Sequence, residues 1–433
     1  MEPKTSPLAA LRHRNYRLLW IGLFISLAGS MMRQAAILWQ VSLLAAPEQK
    51  ALALGVVGLV RVAPIIVFSF ISGVVADAVD RRRLMVLTNA GMGVVSAIMA
   101  VVTLSGHITL GWLYLLAALS AAIGSFDGPA RQSLFPTLVP REHLPNAISL
   151  NSIMFQTASV TGPLIGGLVI AAGGVGWAYA LDAVSFVALI LSLLWMRDVP
   201  VRPPAQRAPV SLQAGWEGLR FVFSQPLIRA SMLLDFFATF FASAMALLPL
   251  YAQDILQVGA QGYGLLSAAP AVGAMLTSLA MVPLVERIVQ RGKVLVIAVG
   301  VYGLATVLFG LSTAFWLTWA CLFITGAADM VSTVLRNIIR QLVTPDGMRG
   351  RMTSVNMIFF MGGPQLGELE AGLVAQAFGP AASVISGGLG CILATAVIAW
   401  QTPGLLAYRQ EPAPPAAGSR GEGRELEAVR AAD

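Results

Sequence analysis

Among the ionisable side chains inside long apolar runs of this sequence, those well within the runs are candidates for chemistry: Arg33, Arg61, Asp182, Asp235, Asp329, Glu368 and Glu370. A charge in hydrocarbon is costly, so each of these residues marks a place where charge is either paired or put to use. Carboxylates there can take up and release protons, and guanidinium groups can seat an anion or lock a carboxylate. His13, His107 and His143 all lie outside the apolar runs, so a proton relay through this chain would have to use carboxylates. Asp235, Asp329 and Glu368 lead the candidates for a substrate or proton site, with Arg33, Asp182 and Glu370 behind them. Glu368 and Glu370 stand about 200° apart on a helix and cannot both face one cavity. Each charge also has a structural reading: Arg33 pairs with a carboxylate to hold helices together, Arg61 snorkels to the outer surface, and Asp182 sits at the outer interface. The aromatic residues Trp39, Phe236, Phe237, Phe240, Phe241, Phe359 and Phe360 offer either the apolar lining of a cavity or plain interhelical packing.

The elements that hold these residues must be membrane helices. The 433 residues are 57% hydrophobic and 11% charged, with mean hydropathy +0.76, whereas soluble domains carry about 25% charged residues. A helical span takes about 20 apolar residues. Twelve runs of that kind can be drawn, near 18–44, 51–76, 84–104, 109–130, 146–172, 177–196, 226–252, 262–285, 293–313, 315–339, 353–378 and 381–401. The expected fold is therefore all-α and polytopic: twelve transmembrane helices in two six-helix bundles, 1–197 and 226–401. A proline-rich cytoplasmic linker with an amphipathic helix (198–225) joins them, and a disordered cytoplasmic tail (402–433) follows. The first run is too long for a signal-peptide core, so it reads as an uncleaved helix. Basic residues gather in alternate loops, among them Arg81 to Arg83, Arg141, Arg197, Arg287 and Arg349, while the other loops contribute Lys50. By the positive-inside rule both ends are expected in the cytoplasm. The net charge of +7 is thus a matter of topology and not a nucleic-acid surface. Cys321 and Cys391 lie inside apolar runs, so neither a disulfide nor a metal site is expected. The loops hold no Ser/His/Asp set and no phosphate-binding Gly-x-x-x-x-Gly-Lys stretch; no enzyme activity, ATP hydrolysis or cofactor is expected.

Two patterns tie the runs together. Adding 205 to a position carries Arg131 onto Arg336, Pro140 onto Pro345, Ser149 onto Ser354, Asn151 onto Asn356, Phe155 onto Phe360 and Gly162 onto Gly367. One constant offset thus superposes the fourth and fifth runs on the tenth and eleventh, the internal symmetry of a repeat-built transporter. The second pattern is the turn Gly73-x-x-x-Asp77-x-x-x-Arg81-Arg82-Arg83, where the chain leaves the bilayer and at once re-enters it.

That turn resembles the signature loop of the major facilitator superfamily. Asp127-Gly128-Pro129-Ala130-Arg131-Gln132, Leu138-Val139-Pro140-Arg141-Glu142 and Gly367-Glu368-Leu369-Glu370-Ala371-Gly372-Leu373 narrow the resemblance to its branch of enterobactin-type siderophore exporters and macrolide efflux pumps. The resemblance implies a secondary transporter of the inner membrane, working as a monomer in the lipid bilayer and exporting amphipathic small molecules of drug, macrolide or siderophore type, mostly against protons. It makes Gly73, Asp77, Arg81, Arg82 and Arg131 a gating motif, with Arg131 placed to pair with Asp77. Gly162-Pro163-Leu164-Ile165-Gly166-Gly167 is similar to the core of the antiporter helix-packing motif, with Ala158 where the family has a further glycine. The middle of the fourth run, residues 113–124, lacks the arginine that drug antiporters of the superfamily often carry. That departure supports an alternative, facilitated uptake or uniport by the same fold.

Overall fold

The structure, a computed structural model, describes residues 8–198 and 212–409. Six long helices build the first half: α1 (Arg14–Leu44), α2 (Lys50–Ala78), α3 (Arg81–Leu104), α4 (Leu110–Leu134), α5 (Leu144–Gly173) and α6 (Val175–Leu194). A connecting helix, α7 (Leu212–Ser224), leads into the second: α8 (Pro226–Phe241), α9 (Gly259–Leu284), α10 (Arg291–Leu311), α11 (Phe315–Val343), α12 (Arg349–Phe378) and α13 (Pro380–Gln401). Eleven of these segments are long and apolar enough to cross a bilayer, and α12, at 30 residues, supplies a twelfth crossing. Among the described residues there is no strand.

Local chemistry sets the helix ends. Asp80 caps α3, its Oδ1 accepting from the Arg83 amide at 2.9 Å, so Arg81 to Arg83 form the first turn of α3 and not a loop. Thr109 caps α4 through the Trp112 amide. Gly174 and Gly379, at φ 90° and 89°, turn α5 into α6 and α12 into α13; these left-handed positions suit glycine, and they are related by the same 205-residue offset. The seventh apolar run does not form one helix. It stops at Phe241 and continues through short 3-10 and π turns to Ile255. At the break the Ser243 hydroxyl donates to the Pro364 carbonyl of α12 at 2.9 Å, an oxygen that accepts a side chain inside a proline-bearing helix. Helix α7 docks against the second half, burying Val222 and joining Glu217 to Arg351 at 2.5 Å, while Trp216 stays exposed. Residues 403–407, assigned by sequence to the polar tail, form a short helix with Leu405 buried; 199–211 and 410–433 lie outside the described residues.

The even number of crossings puts the start of α1 and the end of α13 on one face, called here the terminal face. The two halves meet along two seams, α2 against α12 and α5 against α9. Both seams contain glycine facing glycine. A Cβ on Gly55 would lie 2.9 Å from the Gly372 Cα, and one on Gly167 would lie 2.8 Å from the Gly264 Cα. Backbones can come this close only where side chains are missing. A set of polar bonds joins the halves towards the far face. Lys50 pairs with Asp254 at 3.6 Å, Gln253 donates to the Ser42 hydroxyl at 2.7 Å, and the Tyr263 hydroxyl donates to the Ala35 carbonyl at 3.0 Å. Gln376 reaches the Glu48 carbonyl and the Leu52 amide. The far face is closed. A side chain forced into a seam should part it: with Cys321 and Cys391 replaced by serine, cysteines at positions 50 and 254 should cross-link readily in the parent and much more slowly in Gly264→Val, as read by gel shift after peptide cleavage between the halves.

Candidate transport site

Helices α1, α2, α3, α4 and α6 enclose a cavity of about 520 Å³ in the first half, with Met357 of α12 as its wall from the second. From α1 it takes positions 23, 26, 27, 30, 33, 34 and 37, the three-and-four spacing of one helix face. From α4 it takes 117, 120, 121, 124, 125, 127, 128, 129, 131 and 132. The lining thus runs from mid-helix to the end of α4 at the terminal face, and that is where the cavity opens. Ser26, Ser30, Gln34, Ser120 and Ser125 put polar atoms among leucine, isoleucine and methionine side chains.

Three guanidinium groups line it: Arg33, Arg61 and Arg131. Arg33 Nε meets Asp182 Oδ2 at 2.7 Å and its Nη1 donates to Ser120 Oγ at 2.8 Å. Ser96 Oγ also donates to Asp182 Oδ2, at 2.6 Å. The network joins α1, α3, α4 and α6, and Asp182 is fully buried in it, not at the outer interface that its sequence position allowed. Just beyond, Tyr179 donates to Gln40, and Gln40 to Thr103. Arg61 does not snorkel outwards. It faces the cavity and donates two bonds, at 2.5 and 2.6 Å, to the Gln34 carbonyl oxygen, with that amide oriented to satisfy both groups. Asp127 accepts from Asn89 at 2.7 Å and from Thr88 at 3.3 Å. Arg131 has no ion pair among the described residues; the side chains of Gly73 and Asp77, and with them the Asp77 end of the expected latch, lie outside those residues.

The second half carries its own buried charge cluster. Arg336, 2% exposed, bridges Asp235 at 2.9 Å and Asp329 at 3.5 Å, and donates to Thr333 at 2.9 Å. The two acids differ in access: the Asp235 side chain is 4% exposed and that of Asp329 47%, although Asp329 lies near the middle of α11. The 205-residue offset places Asp329 over Gly124, a cavity-lining residue, so the repeat has an acid on one side and open space on the other. Arg340, one turn further on, is held by neutral groups: Asn337 at 2.8 Å, Asn356 and the Arg336 carbonyl.

Glu368 lies at the α2–α12 seam, against Gly58, with one carboxyl oxygen buried and without a hydrogen-bond partner. Glu370 forms no ion pair among the described residues. Neither they nor Asp182, Asp235 and Asp329 line the cavity, and the aromatic set does not line it either. Phe236 stacks on Phe240 and meets Phe359 edge-on, Phe237 stacks on Phe241, Trp39 packs on Tyr263 at the far-face seam, and Phe360 is half exposed.

Two of the motif arginines work as helix-end donors. Arg81 donates to the Ser133 carbonyl at 3.0 Å, and Arg82 to the Leu193 and Leu194 carbonyls at 2.7 and 2.9 Å, each satisfying the carbonyl end of a neighbouring helix. The glycine motif splits between two neighbours. Gly162 and Gly166 face α1, where a Cβ on Gly162 would lie 2.7 Å from the Ala28 carbonyl. Gly167 and the Pro163 carbonyl face Gly264 of α9. Sequence reasoning missed Gln34, Ser96, and Arg336 as a hub. The spacing Asp329, Thr333, Arg336, Arg340 on one helix face would have found Arg336; nothing in the sequence marks a neutral Gln34. His13 and His143, unremarkable as isolated residues, bond each other at 2.9 Å and tie the N-terminal segment to the α4–α5 connection.

A sequence profile described as a transmembrane secretion effector matches residues 5–412. The enterobactin exporter EntS of Escherichia coli O1:K1 is 29% identical over 79% of this chain and 81% of its own length. That of Salmonella choleraesuis strain SC-B67 is 29% identical over 79% and 82%. Among solved structures, a bacterial homologue of the lysosomal transporter Spinster, inward-facing and unoccupied, superposes with TM-score 0.72 at 15% identity, covering 93% of this chain and 99% of that one. A bacterial homologue of the iron transporter ferroportin, inward-facing, gives 0.68 at 16%, covering 91% and 99%. At these identities the two structures show the fold.

The Arg336 cluster predicts unequal costs for its two acids. Removing one partner of a buried pair strands the other charge, at about 3–5 kcal/mol, whereas an exposed, longer pair is worth about 1 kcal/mol or less. Asp235→Ala should lower the thermal stability of the purified protein far more than Asp329→Asn, as measured by unfolding in detergent.

Proposed function

Because the chain belongs to the transmembrane secretion effector family of the major facilitator superfamily, we propose that it is a proton-coupled exporter of amphipathic small molecules, of siderophore, macrolide or drug type. It is a membrane transporter and not an enzyme. The observation that carries the reading is a cavity in one half, polar at named points and apolar elsewhere, open at the terminal face while the far face is bonded shut. Cargo enters from the terminal face, the halves rock about the glycine seams, and the far-face bonds part to release it. In this reading the protein sits in the inner membrane as a monomer, with the terminal face towards the cytoplasm, as the arginine-rich turns of that face favour.

Asp329 is the proton carrier in this scheme. It combines a mid-helix position with a half-exposed side chain, and Arg336 stands beside it as the counterion that shares its charge. Asp235, buried on the same guanidinium, keeps Arg336 in place. The uncharged middle of α4 favours the rival reading, a carrier indifferent to protons. Vesicles separate the two. In proteoliposomes with an imposed proton gradient, uphill movement of an effluxed macrolide or catechol siderophore should cease when the gradient is collapsed. Asp329→Asn should keep downhill flux and lose gradient-driven accumulation. A carrier whose flux ignores the gradient is a uniporter.

A further inference from the structure

We propose, resting on the export reading above, that the cavity of the first half selects cargo bearing an acidic group and seats that group on Arg61 and Gln34. The argument starts from charge balance. A guanidinium inside the bilayer is costly unless a carboxylate or another anion answers it. Arg33 is answered by Asp182 and Arg336 by Asp235. Arg61 lines the same cavity as Arg33, yet no carboxylate among the described residues lies within ion-pair distance of it. Its two terminal nitrogens both point at one neutral oxygen, that of Gln34. A carboxylate or sulfonate presents oxygens to that same pair of donors in the parallel geometry a guanidinium prefers.

The surroundings favour an anion over the alternatives. Asp127, the acid that lines the cavity, is occupied by Asn89 and Thr88, and Arg131 adds a further positive charge towards the mouth. With Arg33 neutralised by Asp182, the lining keeps Arg61 and Arg131 against the one acid Asp127, a positive balance that draws anions in. Ile37, Ile65, Met92 and Phe186 supply apolar wall for the rest of an amphipathic molecule, and about 520 Å³ is ample for a ligand of moderate size. Across the seam stands Glu368, lying against Gly58 one helical turn before Arg61. It is the protein's own rival for Arg61, so neutralising it should help an acidic ligand and not hinder it.

The test reads binding without transport. Full-length protein in nanodiscs is titrated by equilibrium dialysis with three probes that share one ring system: 2-naphthoate, 2-naphthamide and 2-naphthylmethylamine. The parent should bind the naphthoate about tenfold or more tightly than the amide, the size of one charge-assisted contact, and the amine most weakly. Arg61→Gln should erase the preference for naphthoate while keeping amide binding, which also shows that the variant is folded. Arg61→Lys should retain part of the preference, and Glu368→Gln should retain or increase it. Equal affinity for naphthoate and amide in the parent, a tighter amine, or a preference that survives Arg61→Gln would overturn the seat. So would an equal loss in Glu368→Gln and Arg61→Gln, since that would mark the pair as a structural element of the seam. The export reading fails separately: if the preference holds but vesicles loaded with naphthoate or with larger amphiphiles show no carrier-mediated efflux, the seat stands and export does not.

Discussion

Charge that cannot escape into water organises this molecule. A guanidinium or carboxylate held in hydrocarbon must find its complement inside the protein, and each half meets that demand with one cluster of its own. In the first half Arg33 gathers Asp182, Ser96 and Ser120 from three other helices. In the second, Arg336 on α11 holds Asp235 of α8 and Asp329. Neither cluster crosses the seams. These two clusters settle their charge within one half each, which stiffens it; Arg61 and Glu368, facing each other across the α2–α12 seam, are charges that lie outside them.

The junction is built differently. Where the halves approach most closely they do so through glycine, with Gly55 on Gly372 and Gly167 on Gly264, and a set of polar bonds crosses near the far face. In the proposed cycle such halves, with a smooth contact and a bonded rim, would tilt as units, and neither the Arg33 nor the Arg336 cluster would have to break. Arg81 and Arg82 belong to the same logic. By satisfying the carbonyl ends of α4 and α6, they bind the turns at the terminal face into the first half.

How much of this the amino-acid sequence discloses depends on the range of each interaction. Helix count, halves and repeat are local or periodic properties, and the apolar runs display them. The break after Phe241 is not legible, because it depends on contacts with Pro364 and Gly367 of a helix more than a hundred positions away. Charged residues inside apolar runs announce themselves, so Arg33, Arg61, Asp182, Asp235, Asp329 and Glu368 can all be picked out. Their partners cannot, since pairing is decided by how helices cross. Arg61 is the plainest case: its partner is an amide with no charge to draw attention. Asp182 and Asp235 come out as holders of arginines, and Asp329, similar on paper, differs from them only through an exposure that no linear pattern encodes.

The Trp39–Tyr263 contact has a thermodynamic consequence. Both rings are hidden where the halves meet, at 6% and 1% exposure, and aromatic side chains each bury about 150–250 Å². In the proposed cycle, parting the far face would hand that surface to water, so that movement would carry a positive heat-capacity change. Warming and cooling would then act on the two proposed conformers unequally: the form shut at the far face gains from apolar burial as temperature rises from the cold, and chilled protein should hold its far-face rim less firmly.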